Sequence, residues 1–494
     1  MDYLQDYTTY CAKPTKSTEK RLELTIAGNV ANATALVELA KRKDLHNEPG
    51  VLVLPYALDS SIEDPNDEWV LWEYDEIKKE LRTQNLVGFI GYGNANFAIG
   101  SRFSSFNPSG SRISKNENTY VLSKDYFLLY LLQKTLGITL FDSLKSDSSQ
   151  DCDSALDFLF LLFPPLFKKA LSQGMFKQYV HRQYNDANIR GVIDVNRHIR
   201  FNIPANGKVA YHTREFSYDN PVTQLIRHTI EYLKRNKFGK SMLTRDAEMR
   251  GFVQQLIQAT PSYDANQRQQ VIMQNLRPVA HPLYTQYAML QQLCLRILRY
   301  EKLSYSDNNK SEKIHGVLID MNWLWEEYLA QVLSERTSFG HYTRKSTPNY
   351  LFEADGKDDF QPIIPDYLGY KGNQTIVADA KYMFLNKRDS LTGEKAMAVY
   401  YKTVMYMYRF NSTIGLLLYP YKPDQEDPEH EIPFVKYGIK ETNGELYKIG
   451  LMIPQDIEKY QDFASIIRLH EQTFADMVAT QEKKDYPSKK HINS

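Results

Sequence analysis

The first hundred residues carry short strand-like patterns. RLELTI (21–26) alternates with a period of two, and GVLVLPY (50–56) is a brief apolar run. VGFIGYGNANFAIGSRF (87–103) reads as a hairpin with Gly-Asn-Ala-Asn as its turn. Residues 1–20 are polar and are expected to be loose. After a polar connector at 107–119 the period changes to that of a helix, first in KDYFLLYLLQKTL and then, past a polar stretch at 142–154, in DSALDFLFLLFPPLFKKAL. RGVIDVNRHIRFN (190–202) reads as a strand pair. Asp219-Asn220-Pro221 starts a helix whose apolar face is Val222, Leu225, Ile226, Ile230 and Leu233. Helices are expected to about Glu301, and the Ser/Asn-rich stretch 303–312 marks a boundary.

The last third has a more informative order. Met321 to Arg336 has an amphipathic helical pattern. Strands are expected at NYLFEA (349–354), PIIPDYLGY (362–370) and QTIVADAKY (374–382), then a helix from Lys395 to Phe410 and a buried strand at TIGLLLYP (413–420). An acidic loop follows at 424–431, and the tail after Lys483 is expected to be disordered. The division is an N-terminal β-rich module at 1–118, a mostly helical middle domain at 119–310, a catalytic domain at 311–480 and a tail at 481–494. The fold class is mixed, an α/β or α+β multidomain chain.

Chemistry enters at IIPDYLGYKGNQTIVADAKYM. Asp379 and Lys381 are two apart on one strand, so their side chains share a face. Pairing through the Lys371-Gly372-Asn373 turn sets Asp366 beside them. The strand between, Ile376-Val377-Ala378, is apolar, so these charges lie in or against buried structure, where unpaired charge is costly. A divalent cation, Mg²⁺ or Mn²⁺, would satisfy both carboxylates with few protein ligands. It would polarise a phosphoryl oxygen, while Lys381 orients or deprotonates water or offsets phosphate charge. The alternative is an ordinary Asp–Lys ion pair on a half-exposed strand.

Pro365-Asp366 and Asp379-Ala380-Lys381, with residues 367–378 between the aspartates, resemble the signature of the PD-(D/E)xK nucleases, and the expected helix–strand–strand–strand–helix–strand order is similar to that family's core, αβββαβ. The resemblance implies metal binding by Asp366 and Asp379, a backbone carbonyl ligand at Ala380, and catalysis by Asp366, Asp379 and Lys381. LIDMNWLWEEYLAQVL (318–333) resembles the corresponding helix of McrC, the nuclease subunit of McrBC restriction systems. It implies a further metal-directed carboxylate at Glu326, with Glu327 as the fallback. McrC-like chains carry an Asp-x-x-Gln pattern on the helix after the catalytic strand. Here Val399 and Lys402 stand at those positions, a departure that leaves Lys402 as either a phosphate contact or a surface lysine. RGVIDVNRHIRFN, REFSYDNPVTQLIRHTIEYL and the N-terminal hairpin also resemble McrC, by order and texture.

Composition limits the partners. The 494 residues carry zero formal net charge, with 42% hydrophobic and 24% charged residues, which is ordinary for a soluble protein. Any grip on DNA is therefore local or shared with a partner. Basic residues gather at Lys177, His181, Arg182, Arg190, Arg197, His198 and Arg200, with Tyr179 and Tyr184 between them, as for a DNA backbone, an acidic partner or a solvated face. Aromatics reach 13%, including 35 Tyr, which suits wet interfaces as well as cores. Cys11, Cys152 and Cys294 form no CxxC pair, which fits a reducing cytoplasm, and the opening has no apolar signal segment. The apolar run 158–167 is too short for a membrane span. No GxxxxGK[ST] run occurs, so no nucleotide site is expected in this chain, and no helix-turn-helix or zinc finger is recognisable.

The McrC resemblance thus implies a cytoplasmic, Mg²⁺-dependent endonuclease subunit that cuts double-stranded DNA and stimulates a GTP-hydrolysing McrB-like AAA+ hexamer, contacted by residues 20–120. Two alternatives remain: a non-catalytic activator of such a motor, and a nuclease of the same core in transposition or repair.

Overall fold

A computed structural model describes residues 2–11, 22–23, 30–48, 51–55, 69–75, 77–78, 80–93, 95–103, 125–136, 155–244, 246–305, 314–342, 349–353, 360–385, 394–423 and 433–482. The chain divides into two compact units. One comprises Met1–Thr139, Asp151–Asp153 and Ser311–Ser494, and the other Leu140–Gln150 and Ser154–Lys310. The expected connectors at 107–119 and 142–154, the acidic loop and the tail after 482 lie outside the described residues. Among the described residues no helix is long and apolar enough to cross a membrane.

The first unit draws its sheets from both ends of the sequence. Its five-stranded sheet runs in the order Asp2–Gln5, Ala95–Gly100, Leu86–Tyr92, Ile314–Asp320 and Val51–Leu54. The expected N-terminal hairpin is present, with Tyr92 opposite Ala95. Residues 1–20 are not uniformly loose: Asp2–Gln5 joins this sheet and Thr9–Cys11 a four-stranded one, with Leu4 and Tyr10 buried. Ile314–Asp320 lies antiparallel to Leu86–Tyr92 and parallel to Val51–Leu54. Close approach there requires glycine: a Cβ on Gly88, whose φ is +129°, would stand 2.2 Å from the carbonyl oxygen of Val317. The 310/311 boundary coincides with the end of the second unit, and the first strand after it completes the N-terminal sheet, so the expected modules 1–118 and 311–480 share one unit.

That strand leads directly into the helix Met321–Ser334. Asp320 caps it, accepting from the Asn322 N–H at 2.8 Å and from Asn85 Nδ2 at 2.6 Å. The helix buries Met321, Leu324, Trp325, Tyr328 and Leu329 and leaves Glu326 half-exposed.

The six-stranded sheet of the same unit has the order Gly340–His341, Tyr367–Lys371, Gln374–Ala380, Ile414–Tyr421, Glu445–Met452 and Phe434–Gly438. Tyr367–Lys371 and Gln374–Ala380 form an antiparallel hairpin, turned at Gly372 with φ +62°. Gln374–Ala380 runs parallel to Ile414–Tyr421, and the helix Glu394–Arg409 makes the crossover. Every residue of Ile414–Tyr421 is buried, as its continuous apolar run requires of a covered parallel strand. One expected strand is divided. Residues 362–370 contain the end of Phe360–Ile363, which pairs with Asn349–Phe352 in a separate two-stranded sheet, and the whole of Tyr367–Lys371. Pro365 has no N–H for a ladder and stands in the break, so Asp366 sits just before a strand and not within one.

The second unit is helical with one three-stranded sheet, ordered Val192–Ile193, Val209–Ser217 and Gln178–Asp186. Pro221–Leu233 is the expected helix. Asn220 caps it in a capping box, and its five expected core positions are buried. RGVIDVNRHIRFN is not a strand pair: only Val192–Ile193 is extended, and Val195–Asn202 is a helix capped by Asp194.

Candidate active site

Asp366, Asp379, Ala380 and Lys381 converge at one end of the Tyr367–Lys371 and Gln374–Ala380 hairpin. Tyr367 is paired with Ala378, so the next step of the same register brings Asp366 opposite Asp379. Asp366 Oδ2 accepts from the Ala380 N–H at 2.6 Å. Lys381 stands one residue past its strand but continues the ladder, its N–H donating to the Leu418 carbonyl at 2.8 Å. Its Nζ lies 2.6 Å from Asp379 Oδ2.

Asp379 is fully buried between the apolar neighbours that the strand pattern demands. Its oxygens meet the Lys381 ammonium and the Asp366 carboxyl, and among the described residues no other donor reaches them. A buried carboxylate in that condition is expensive. Burial raises the Asp366 pKa well above the usual carboxylate range, and the charges of Asp379 and Glu326 push the same way against the opposing pull of Lys381. Burial alone would depress the Lys381 pKa, but Asp379 and Asp366 more than offset it and hold the ammonium form. Two acids competing for one ammonium leave the cluster short of positive charge.

Glu326, whose charge acts on Asp366, bonds through Oε1 to His341 Nε2 at 2.8 Å. Burial would lower the His341 pKa, yet the hydrogen bond it donates to Glu326 and the charges of Glu326 and Glu327 leave it raised. Tyr367 Oη donates to the backbone carbonyl of Glu326, tying the helix to the hairpin. Tyr406, on the Glu394–Arg409 helix, donates to the Ile364 carbonyl at 2.8 Å and so braces the segment that carries Asp366. Lys402 lies one turn before it, 5.5 Å from the Tyr406 ring centre, and its charge acts on Lys381. His341 and Tyr367 were missed from the sequence. Neither belongs to a motif, and each reaches the site only through the sheet order.

The donor set fits a hard divalent cation through Asp366, Asp379 and the Ala380 carbonyl, because two adjacent buried carboxyls share a single ammonium. Among the described residues no three His, Cys, Asp or Glu side chains gather closely enough to form a ligand set alone. Water or phosphate would therefore complete the coordination.

The basic residues of the second unit are largely partnered. Arg182 Nη2 lies 3.2 Å from Asp219 Oδ2, and Arg190 Nε donates to Tyr211 Oη at 3.2 Å. Arg197 Nη1 is 4.0 Å from Asp194 Oδ2, and the Arg200 guanidinium lies over Phe201 at 5.6 Å.

Residues 81–420 match the family described as McrBC 5-methylcytosine restriction system component. The match spans well over half of the chain, and the chain belongs to that family. Among solved structures, the chain is similar to one in the refined half-complex from the tetradecameric assembly of Thermococcus gammatolerans McrB AAA+ hexamers with bound McrC. The TM-score is 0.52 at 14% identity, covering 96% of this chain and 99% of that one. A chain of the Thermococcus gammatolerans McrBC complex is aligned over 68% of this chain and 87% of its own length, at 15% identity and a TM-score of 0.33. No curated protein matches.

Proposed function

We propose that this chain is the McrC-type nuclease subunit of a McrBC restriction complex, with a PD-(D/E)xK active site that hydrolyses phosphodiester bonds of double-stranded DNA. The observation that carries the reading is the convergence of Asp366, Asp379 and Lys381, with Asp379 fully buried and two carboxylates sharing one ammonium. Asp366, Asp379 and the Ala380 carbonyl would hold Mg²⁺ or Mn²⁺, with Glu326 behind them. A bound cation would supply Lewis-acid polarisation of the scissile phosphate. Lys381 orients the attacking water and offsets phosphate charge, and the ammonium form held by the two aspartates suits the second task. Lys402 is a phosphate contact at the edge of the site. The solved complex contains McrB AAA+ hexamers with bound McrC, which supports a similar GTP-hydrolysing motor as this chain's partner. Such a motor would deliver DNA to a subunit with no net charge.

Purified chain with its cognate AAA+ partner, GTP and Mg²⁺ is expected to cut methylated duplex DNA. Asp366→Ala and Lys381→Ala should each reduce the rate by at least about a hundredfold. Undiminished cutting by both would overturn the assignment. Val399 and Lys402, at positions where McrC relatives carry Asp and Gln, favour a second reading, an activator of the motor with a dormant nuclease core. Motor stimulation by a wild-type chain that cuts no DNA would select it.

A further inference from the structure

The residue after Lys381 is held by the N-terminal sheet. Arg102, which follows the Ala95–Gly100 strand by two positions, donates through Nη2 to the backbone carbonyl of Tyr382. Ser101 Oγ and Tyr382 Oη are hydrogen-bonded at 2.7 Å, and both residues are buried. The Arg102 guanidinium sits among four rings, 4.4 Å from the centre of Tyr7, 4.9 Å from Tyr382, and 5.2 Å from Phe103 and from Phe384. Phe103 packs edge-on against Tyr382 at 5.1 Å. The clamp is itself anchored. The Arg102 N–H donates to Asp6 Oδ1 at 2.7 Å, and the Ser101 N–H donates to Asp125 Oδ2 at 2.7 Å, both carboxylates being fully buried.

This arrangement matters because Lys381 lies beyond the end of its strand. Its backbone is fixed on one side by Leu418 and closed on the other by a tight turn in which the Met383 N–H donates to the Lys381 carbonyl at 2.9 Å. Where the ammonium points therefore depends on how the 381–383 turn is seated, and Arg102 and Ser101 seat it.

We propose that Arg102, assisted by Ser101, is a positioning residue for Lys381, through which the N-terminal sheet sets the geometry of the nuclease site. The inference rests on the nuclease reading above. It adds that the N-terminal sheet and the cleavage chemistry are mechanically one piece.

The test is a double-mutant cycle on the full chain with its AAA+ partner, read as the single-turnover cleavage rate of methylated duplex DNA at saturating Mg²⁺. Arg102→Met keeps apolar bulk and removes the donors. It is expected to slow cleavage about tenfold, in line with the cost of a sub-ångström misplacement of a catalytic group, with KM for DNA unchanged. In a Lys381→Gln background the same substitution should change the residual rate by less than twofold. Arg102→Lys, which can still donate to the Tyr382 carbonyl, should restore most of the rate. Tyr382→Phe, which loses the hydroxyl that meets Ser101 and Asp6, should slow cleavage severalfold and decides the matter if Arg102→Met does not fold. Equal fold-losses in both backgrounds, or full activity of Arg102→Met and Tyr382→Phe, would overturn the positioning role while leaving the nuclease intact. Undiminished cutting by Lys381→Gln alone would instead remove the nuclease reading.

Discussion

Asp366 and Asp379 stand side by side with one ammonium, that of Lys381, against Asp379, an arrangement that costs stability. The folded chain binds a proton at Asp366 more tightly than the unfolded chain does, since the pKa is raised on folding. Sign follows from linkage: the stabilising effect of that proton is complete at acid pH and is lost as pH rises through the raised folded-state pKa. Asp366→Asn keeps an acceptor for the Ala380 N–H and gives Asp379 an amide donor. Its melting temperature without divalent metal should exceed that of the wild type by a few degrees at neutral pH, and the gap should shrink on acidification. Added Mg²⁺ should raise the wild-type melting temperature and not that of the variant. Thermal unfolding from acid to neutral pH checks all three points, and a variant less stable than the wild type at neutral pH without metal refutes the account. These residues were legible in the sequence because strand periodicity fixes which side chains share a face. Their supports were not. His341 and Tyr367 reach Glu326 on the helix from two strands, and Arg102 meets Tyr382 over 280 positions of chain, which no local pattern encodes.

At the scale of elements, the sequence was readable where apolar residues are buried and misleading where they are not. Pro221–Leu233 declared itself through a helical apolar face and the Asn220-Pro221 start, and the structure has both. Asn220 Oδ1 accepts from the Val222 and Thr223 N–H groups, while Nδ2 donates to the carbonyls of Phe176, Ser217 and Tyr218. Asn220→Ala should therefore cost about 2 kcal/mol, at the upper end for a helix cap, measured by urea denaturation. A loss within error would show that the cap bonds are replaced by solvent. Val195–Asn202 was misread because Val195, Ile199 and Phe201 are 61%, 54% and 52% exposed. Periodicity reports a face turned toward a core, and these side chains have none in this chain. The strands Gln178–Asp186 and Val209–Ser217 escaped notice for a related reason, as Tyr179 and Phe216 face outward, 59% and 52% exposed, while the charged Arg182 and Glu215 are half-buried.

For the whole molecule, sequence order and spatial order diverge. The chain leaves the first unit after Thr139, except for Asp151–Asp153, and rejoins it at Ser311. The N-terminal sheet then receives Ile314–Asp320 between Leu86–Tyr92 and Val51–Leu54. Deleting residues 1–118 would expose both edges of that strand and remove the anchors of Tyr382. The truncated protein is expected to be insoluble or to lack cooperative unfolding. Excising 140–310 and joining the ends with a flexible linker should leave the first unit folded, with a single calorimetric transition. The opposite result, a well-folded fragment 119–494, would mean that the two sheets are energetically independent. The cut at 310/311, drawn from a polar, Ser/Asn-rich composition, coincides with the end of the second unit, but composition cannot show that the residues after it share a unit with the N-terminal sheet.

Ile314–Asp320 belongs to the N-terminal sheet, and the helix bearing Glu326 starts from its last residue. Sheet register and helix phase are thereby locked together. Adding or removing one residue between 314 and 326 would turn the Glu326 side chain by about 100° around the helix, away from Asp366. Length changes ahead of Ile314 carry no such penalty. Among relatives of this chain, gaps should collect before that strand and be absent across the twelve positions that follow its first residue.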